Sequence, residues 1–232
     1  MEFSPEGPKA IPLWVNGRAF LTVTESFFDV VNPHSGEAVH RVPLCGAAEA
    51  AEAAGAARAA QPAWAALAPE ARQACLDALA DGLDRYTGHF VKLLRGDTGF
   101  PEAQAQGEVA AALAALRGTA VGEAGVVALV VDATRPLAGF AEAAAPILRA
   151  GGAVIVKPSP KAPAAAFALC ELSGRAAWPP GVLNLMQGDT EAIDGLCCGG
   201  IDRLVYAGNA ALGVQVGAIA DAAGKPYVML AS

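Results

Sequence analysis

The sequence predicts an α/β protein: a Rossmann-like, doubly wound parallel sheet, preceded by β-hairpins and an alanine-rich helical segment. Two observations predict it. From Gly125 onward, short β-branched runs alternate with helical patterns, as βαβ units do. Before that point, turn-punctuated apolar runs give way to long stretches with apolar residues three or four apart. Residues 1–45 read as the hairpins, 46–120 as the helical segment and 125–232 as the Rossmann-like core. No repeat or long linker separates them, so the chain reads as one domain.

The elements follow in order. IPLWVNGRAF carries Asn16–Gly17 between apolar flanks, a strong hairpin signal. FFDVVNPHSGEAVHRV predicts a second hairpin around His34–Gly36. The segments 47–67 and 69–94 read as helices interrupted by Pro62 and Pro69. QAQGEVAAALAALRGTA is a further helix. VVALVV (126–131) is a strand, FAEAAAPILRAG (140–151) a helix, and AVIVK (153–157) a strand. A helix, the strand GVLNLMQG (181–188) and a short helix over 189–198 come next. DRLVYAG (202–208) is a strand, NAALGVQVGAIADAAG a helix and PYVML (226–230) the last strand.

Bulk properties exclude several functions. Of 232 residues, 54% are hydrophobic and 17% charged, so the chain has ample core and apolar surface left for a partner. A net charge of −7 argues against nucleic acid. Every apolar run is broken by charge, glycine or proline, so no membrane span is expected. The N-terminus, with Glu2 and Glu6, does not read as a signal peptide. Cys45, Cys75, Cys170, Cys197 and Cys198 show no metal spacing and read as reduced thiols in a cytoplasmic protein. Cys197–Cys198 reads as helix packing rather than a redox pair. His34, His40 and His89 read as surface residues. Glu49, Glu52 and Arg58 read as a solvated helical face.

In open α/β sheets, ligands sit at the carboxyl ends of the strands. Those ends carry Asp132 and Thr134, Lys157 and Ser159, Gly188 and Asp189, and Gly208, Asn209 and Gly213. Asn209 is a natural N-cap, and the helix start after Gly208 could favour an anion. Lys157 either delivers a cation to that cleft or snorkels from the strand end into water. Asp132 would repel a pyrophosphate.

Taken together, FDVVNPHSGEAV, PEARQACLDALADGLD, GDTGFP, RAGGAVIVKPSPKAP, WPPGVLNLMQGD, IDRLVYAGNAALG and AAGKPYVML resemble the aldehyde dehydrogenase superfamily. The resemblance is collinear over residues 12–232. It implies an NAD- or NADP-binding domain with an oligomerisation hairpin, and cofactor contacts at Val131, Lys157, Ser159, Gly188, Gly208, Asn209 and Gly213. It also exposes departures. Thr134 stands where the family has its oxyanion asparagine, Leu230 where it has its general-base glutamate, and Pro160 where a glutamate grips the ribose. The family's nucleophilic cysteine lies in a catalytic domain beyond the position of Ser232, and none of the five cysteines has its context. Catalytic residues and metal ligands are therefore not expected in this chain, and cofactor binding is expected to be weak or lost.

Three readings follow. One is a non-catalytic relative that assembles with itself or with an active aldehyde dehydrogenase, as the non-catalytic domains of long proline-utilisation proteins and two-domain members are thought to do. The others are an NAD(P)-dependent aldehyde dehydrogenase and a nucleotide-binding module without chemistry.

Overall fold

The computed structural model describes residues 8–22, 24, 26–176 and 178–231; Glu2, Glu6 and Ser232 lie outside them. The chain opens with five short strands: β1 (Lys9–Ala10), β2 (Leu13–Val15), β3 (Arg18–Phe20), β4 (Phe27–Val31) and β5 (Ala38–Pro43). Four helices follow: α1 (Ala47–Ala65), α2 (Pro69–Arg85), α3 (Thr87–Thr98) and α4 (Glu102–Arg117). Then come β6 (Val126–Val131), α5 (Ala138–Arg149), β7 (Ala153–Pro158), α6 (Ala164–Arg175), β8 (Leu183–Leu185), α7 (Thr190–Cys198), β9 (Arg203–Gly208), α8 (Ala210–Ala222) and β10 (Tyr227–Ala231).

Both expected hairpins form. Asn16 and Gly17 have φ of 52° and 77°, the left-handed pair that a two-residue turn between twisted strands requires. The two hairpins part company, however. β4 and β5 join β1 in a three-stranded sheet, whereas β2 and β3 extend the main sheet, whose order is β10-β9-β6-β7-β8-β2-β3. Buried Asn184 on β8 makes that junction, accepting from the Asn16 amide at 3.0 Å and donating to the Gly181 carbonyl.

Several boundaries differ from expectation. α1 runs through Pro62 instead of stopping there. Its last turn is held from outside: Gln61 donates to the Gly151 carbonyl, and Trp64 donates to the Leu148 carbonyl while stacking on Trp178 at 5.4 Å. Pro69 starts α2 at its first turn, where no amide is needed. The expected single helix breaks at Tyr86, where the Thr87 hydroxyl donates back to the Asp84 carbonyl at 2.8 Å. β7 does not end on Lys157 but continues to Pro158, paired with Val131. β8 is shorter than expected because Gly181 and Gly188, at φ 87° and 124°, turn the chain on either side of it.

Alternation along the strands divides the core. Val127, Leu129, Val131, Val154 and Val156 face α2, α4, α5 and α6. Val126, Ala128, Val130, Ala153 and Ile155 face α1, α7 and α8. Between α1 and the second face, alanine serves close approach: Ala50, Ala53, Ala54 and Ala57 are all buried.

Remote side chains secure the helix ends. Leu137 and Pro163 occupy the N-cap positions of α5 and α6, and neither can cap. Glu108 of α4 accepts from the Leu137 and Ala138 amides instead, and Asp97 of α3 accepts from the Ala164 amide at 2.9 Å. At the opposite ends, Arg72 donates to the carbonyls of Ala65, Leu67 and Arg149. Arg149 donates to the carbonyls of Ala115, Leu116 and Ala120 and to Gln73.

The expected surface residues are only partly so. His40 is half-buried, with Nε2 3.8 Å from Asp97 Oδ1, because β5 packs on α3. Glu49 is no idle surface charge: it accepts from Thr22 and the Gly46 amide, starting α1. Arg58 grips Asp202 through two hydrogen bonds, and Asp202 in turn accepts from the Val126 amide. No described helix is long and apolar enough to cross a membrane.

Two predictions come from these buried charges. Arg149→Leu removes donors from the carbonyls of Ala115, Leu116 and Ala120 and from Gln73 at a partly buried junction, so a loss of about 2 kcal/mol is expected in urea unfolding. Burial pushes the Asp97 carboxyl up from 3.8 to about 7. The folded state holds that proton more tightly, so Asp97 lowers stability as pH rises from about 4 to 7, and the loss is complete above 7. Asp97→Asn should therefore raise the melting temperature at pH 8 and leave it nearly unchanged at pH 4.

Candidate functional site

The main sheet reverses its winding between β6 and β9, its two adjacent central strands. The chain leaving β6 enters α5 on one face, and the chain leaving β9 enters α8 on the other. The two loops diverge and open a crevice at the carboxyl edge. This is where doubly wound sheets bind ligands. The loop residues there are Asp132–Arg135 and Gly208–Asn209.

Asp132 fills that crevice. It is buried, and its amide still bonds to the Ala207 carbonyl, extending the β6–β9 ladder by one step. Oδ1 accepts from the amide and hydroxyl of Thr134, at 2.9 and 2.5 Å. Oδ2 accepts from the Asn209 amide at 2.7 Å and the Tyr206 hydroxyl at 3.2 Å. Asn209 is the N-cap of α8, as expected, with Oδ1 accepting from the Ala211 amide at 2.8 Å. The start of α8 therefore has a carboxylate and an amide oxygen on it, both from the chain itself. Burial, then the Asp132 charge, pushes the Tyr206 hydroxyl well above its ordinary value, which keeps it a donor.

Gly208 makes the approach possible. Its φ is 152°, and a Cβ there would lie 2.7 Å from Asp132 Oδ1 and closer still to Cγ and Oδ2. The glycine has the expected role of admitting a close neighbour, and the neighbour is a side chain. Gly213 serves packing: a Cβ would press on Met229 Sδ and come within 3.0 Å of the Tyr206 ring. Gly188 likewise sits against Cys45, whose carbonyl oxygen would lie 3.0 Å from a Cβ. Val131 is buried at the end of β6, on the α5 face.

Lys157 lies two strands from Tyr206, both paired with Val130. It does not snorkel, being only 4% exposed. Burial pulls its ammonium down to about 8, against a smaller opposing pull from Asp189. Among the described residues it forms no ion pair. Ser159 is half-buried and organises the exit turn, its hydroxyl accepting from the Lys161 amide and its carbonyl from the Ala162 amide. Pro160 beside it has no side-chain acceptor.

On the α5 side of the crevice, Arg135 forms a two-bond ion pair with Glu142 at 2.6 and 2.7 Å. With Gly139, Ala143, Ala207, Gly208 and Leu230 they line a cavity of about 90 Å³. Pockets for small molecules run from about 300 to 1,000 Å³. The thiols are remote from the crevice chemistry: burial pushes Cys45 up to about 12 and Cys197 up to about 11, and raises Cys75 and Cys170. Cys197 is buried and Cys198 exposed, both as free thiols. No group of three or more potential metal ligands occurs among the described residues.

The residues missed in the sequence are Tyr206, which braces Asp132, and the Arg135–Glu142 pair. A tyrosine two residues before Gly208, on the same face of its strand as the helix that follows, was the available signal.

The winding, the switch-point crevice and the glycine turn into α8 define a doubly wound domain of the kind that carries nucleotide cofactors. The chain belongs to the aldehyde dehydrogenase family, whose sequence model matches residues 20–124 and 121–231. It is 29% identical over 228 residues to the glutarate-semialdehyde dehydrogenase of Pseudomonas putida, covering 88% of this chain and 48% of that one. The lactaldehyde dehydrogenase of Escherichia coli superposes with a TM-score of 0.89 at 23% identity, over 96% of this chain and 52% of that one. The indole-3-acetaldehyde dehydrogenase of P. syringae, solved with NAD+ bound, gives 0.87 at 25% identity, over 95% and 50%. The chain thus spans about half the length of the relatives it matches.

The residues at the crevice do not fit a dinucleotide. The anion-attracting helix start holds Asp132, and the Gly208 cradle is filled by the same carboxylate.

Lys157 offers a test of the site's electrostatics. Its folded value lies below its unfolded one, so the burial penalty is complete below pH 8, and stability recovers as pH rises from about 8 to 10.5. The displacement corresponds to roughly 3 kcal/mol. Lys157→Met should raise the urea midpoint at pH 7, with the gain shrinking by pH 10.

Proposed function

We propose that this chain is a non-catalytic aldehyde-dehydrogenase-like domain that assembles with an active aldehyde dehydrogenase. The observation that carries this reading is the exposed apolar edge of the sheet and the apolar helix beside it. β10 is the edge strand, and Val228, Met229 and Leu230 on it are all exposed. α8 packs on β10 and exposes Leu212 and Val214, the latter at 68%. Its other exposed positions include Ala210, Ala211, Ala218 and Ala222, with Asp221 its single charge. An unpaired strand edge beside an apolar helix face is a template for another chain.

The altered chemistry supports the same reading. The hydroxyl of Thr134 is given to Asp132 and is not free to meet an oxyanion. Leu230 cannot move a proton. The four thiols pushed up by burial are poor nucleophiles. Free thiols throughout suit a reducing compartment, so we place the assembly in the cytoplasm.

One observation favours a second reading. The likeness covers about half of each relative, so the domain could serve as the cofactor half of a complete NAD(P)-dependent enzyme. Asp132 tells against it.

Gel filtration of the chain with an aldehyde dehydrogenase from the same genome tests assembly. Co-elution is expected, and Val228→Lys with Leu230→Lys should abolish it while leaving the circular dichroism unchanged. A monomer that co-elutes with no aldehyde dehydrogenase overturns the reading.

A further inference from the structure

We propose that Asp132 is a built-in anion: it occupies the place at the α8 N-terminus that a nucleotide's pyrophosphate would need, and so closes this domain to nucleotide. The inference stands apart from the assembly reading, because a closed domain can assemble or not.

Three independent features converge on it. The first is position. The β6–β9 switch point is the one place in the winding where loops on opposite faces leave a crevice, and Asp132 leads out of β6 into it. The second is saturation. The carboxylate takes four donors, two from Thr134, one from Tyr206 and one from the Asn209 amide. Four hydrogen bonds match the capacity of an ionised carboxylate, so it has no reason to swing aside. The third is steric. The α-carbon face of Gly208 is covered by the carboxylate so closely that even a methyl group would not fit. A phosphate approaching that glycine would have to displace Asp132.

Displacement is costly on both sides. An incoming phosphate meets a negative charge at contact distance, in a site where burial weakens screening. Asp132 would leave the Asn209 amide and the Tyr206 hydroxyl, and both its oxygens would need new partners. Of the cations at the carboxyl edge that could offset this, Lys157 lies two strands from Tyr206 and carries its own burial penalty. The Arg135 guanidinium is committed to Glu142.

Neutralising Asp132 should reverse the balance. Asp132→Asn keeps the shape and one acceptor oxygen for the Asn209 amide while removing the charge. Asp132→Ala opens the Gly208 face as well. Binding of ADP and of inorganic pyrophosphate is measured by calorimetry on the wild type and both variants, each checked for folding by circular dichroism. The wild type is expected to show no saturable binding up to millimolar concentrations. Both variants should bind at least about tenfold more tightly, with affinity falling as salt rises. A folded Asn variant that gains nothing over the wild type overturns the proposal. So does a wild type that binds ADP as tightly as the variants, a result that can be read even if the alanine variant fails to fold. Loss of co-elution with an aldehyde dehydrogenase would touch only the assembly reading, since that measurement contains no nucleotide.

Discussion

A helix that begins inside a protein presents several amides that its own ladder cannot satisfy. Three helices of this domain, α5, α6 and α8, begin at the carboxyl edge of the main sheet, and each is met by a carboxylate from elsewhere in the chain. Two of them have no choice, because leucine and proline hold their N-cap positions. Glu108 and Asp97 come from α4 and α3, so satisfying the core helices ties the alanine-rich segment to the parallel sheet. Arg72 and Arg149 do the same for the carbonyl ends of α1, α4 and α5. The helical segment and the Rossmann-like core therefore share the polar contacts that each would otherwise lack.

These contacts place charge where it is poorly solvated. Burial raises the carboxyls of Asp97 and Glu108, and it lowers Lys157. One oxygen of Asp97 has no hydrogen-bond partner, and the His40 ring lies 3.8 Å from it. The two kinds of burial act on stability in opposite senses: the acids penalise the folded state as pH rises, and the lysine penalises it as pH falls. Asp132 sits among these groups but differs from them in having every acceptor site filled, by neutral donors that need no neutralisation. A carboxylate satisfied in this way has little to gain from a cation and much to lose from a second anion.

The strands, the alternation and both hairpins were legible in the sequence, because β-branched runs and an Asn–Gly turn act locally. The helix through Pro62 was not, since what holds it is Trp64 and Gln61 reaching residues more than eighty positions away. The joining of the first hairpin to the main sheet rests on the pairing of Trp14 with Leu185 and on Asn184 and Gln187, with no local signature. For the candidate site, Lys157, Gly208, Asn209 and Gly213 all lie at the carboxyl edge, the position that their places at strand ends implied. What the pattern did not convey was which neighbour each had. Lys157 proved buried rather than snorkelling, and Gly188 and Gly213 proved to be packing glycines, because their neighbours come from distant segments such as Cys45 and Met229.

Gly208 shows why motif and function can separate. A glycine at a strand-to-helix turn records only that something must approach the backbone there. In a cofactor domain the approaching group is external, and the helix start gains from its negative charge. Here the same geometry is met by a residue that precedes it by 76 positions in the chain and lies one strand away in the sheet. The demand for glycine is unchanged, and so is the demand for a negative group at α8. Both would therefore persist in a lineage that had lost the cofactor, and the feature that separates the two cases is the charge at the end of β6 rather than the glycine at the end of β9.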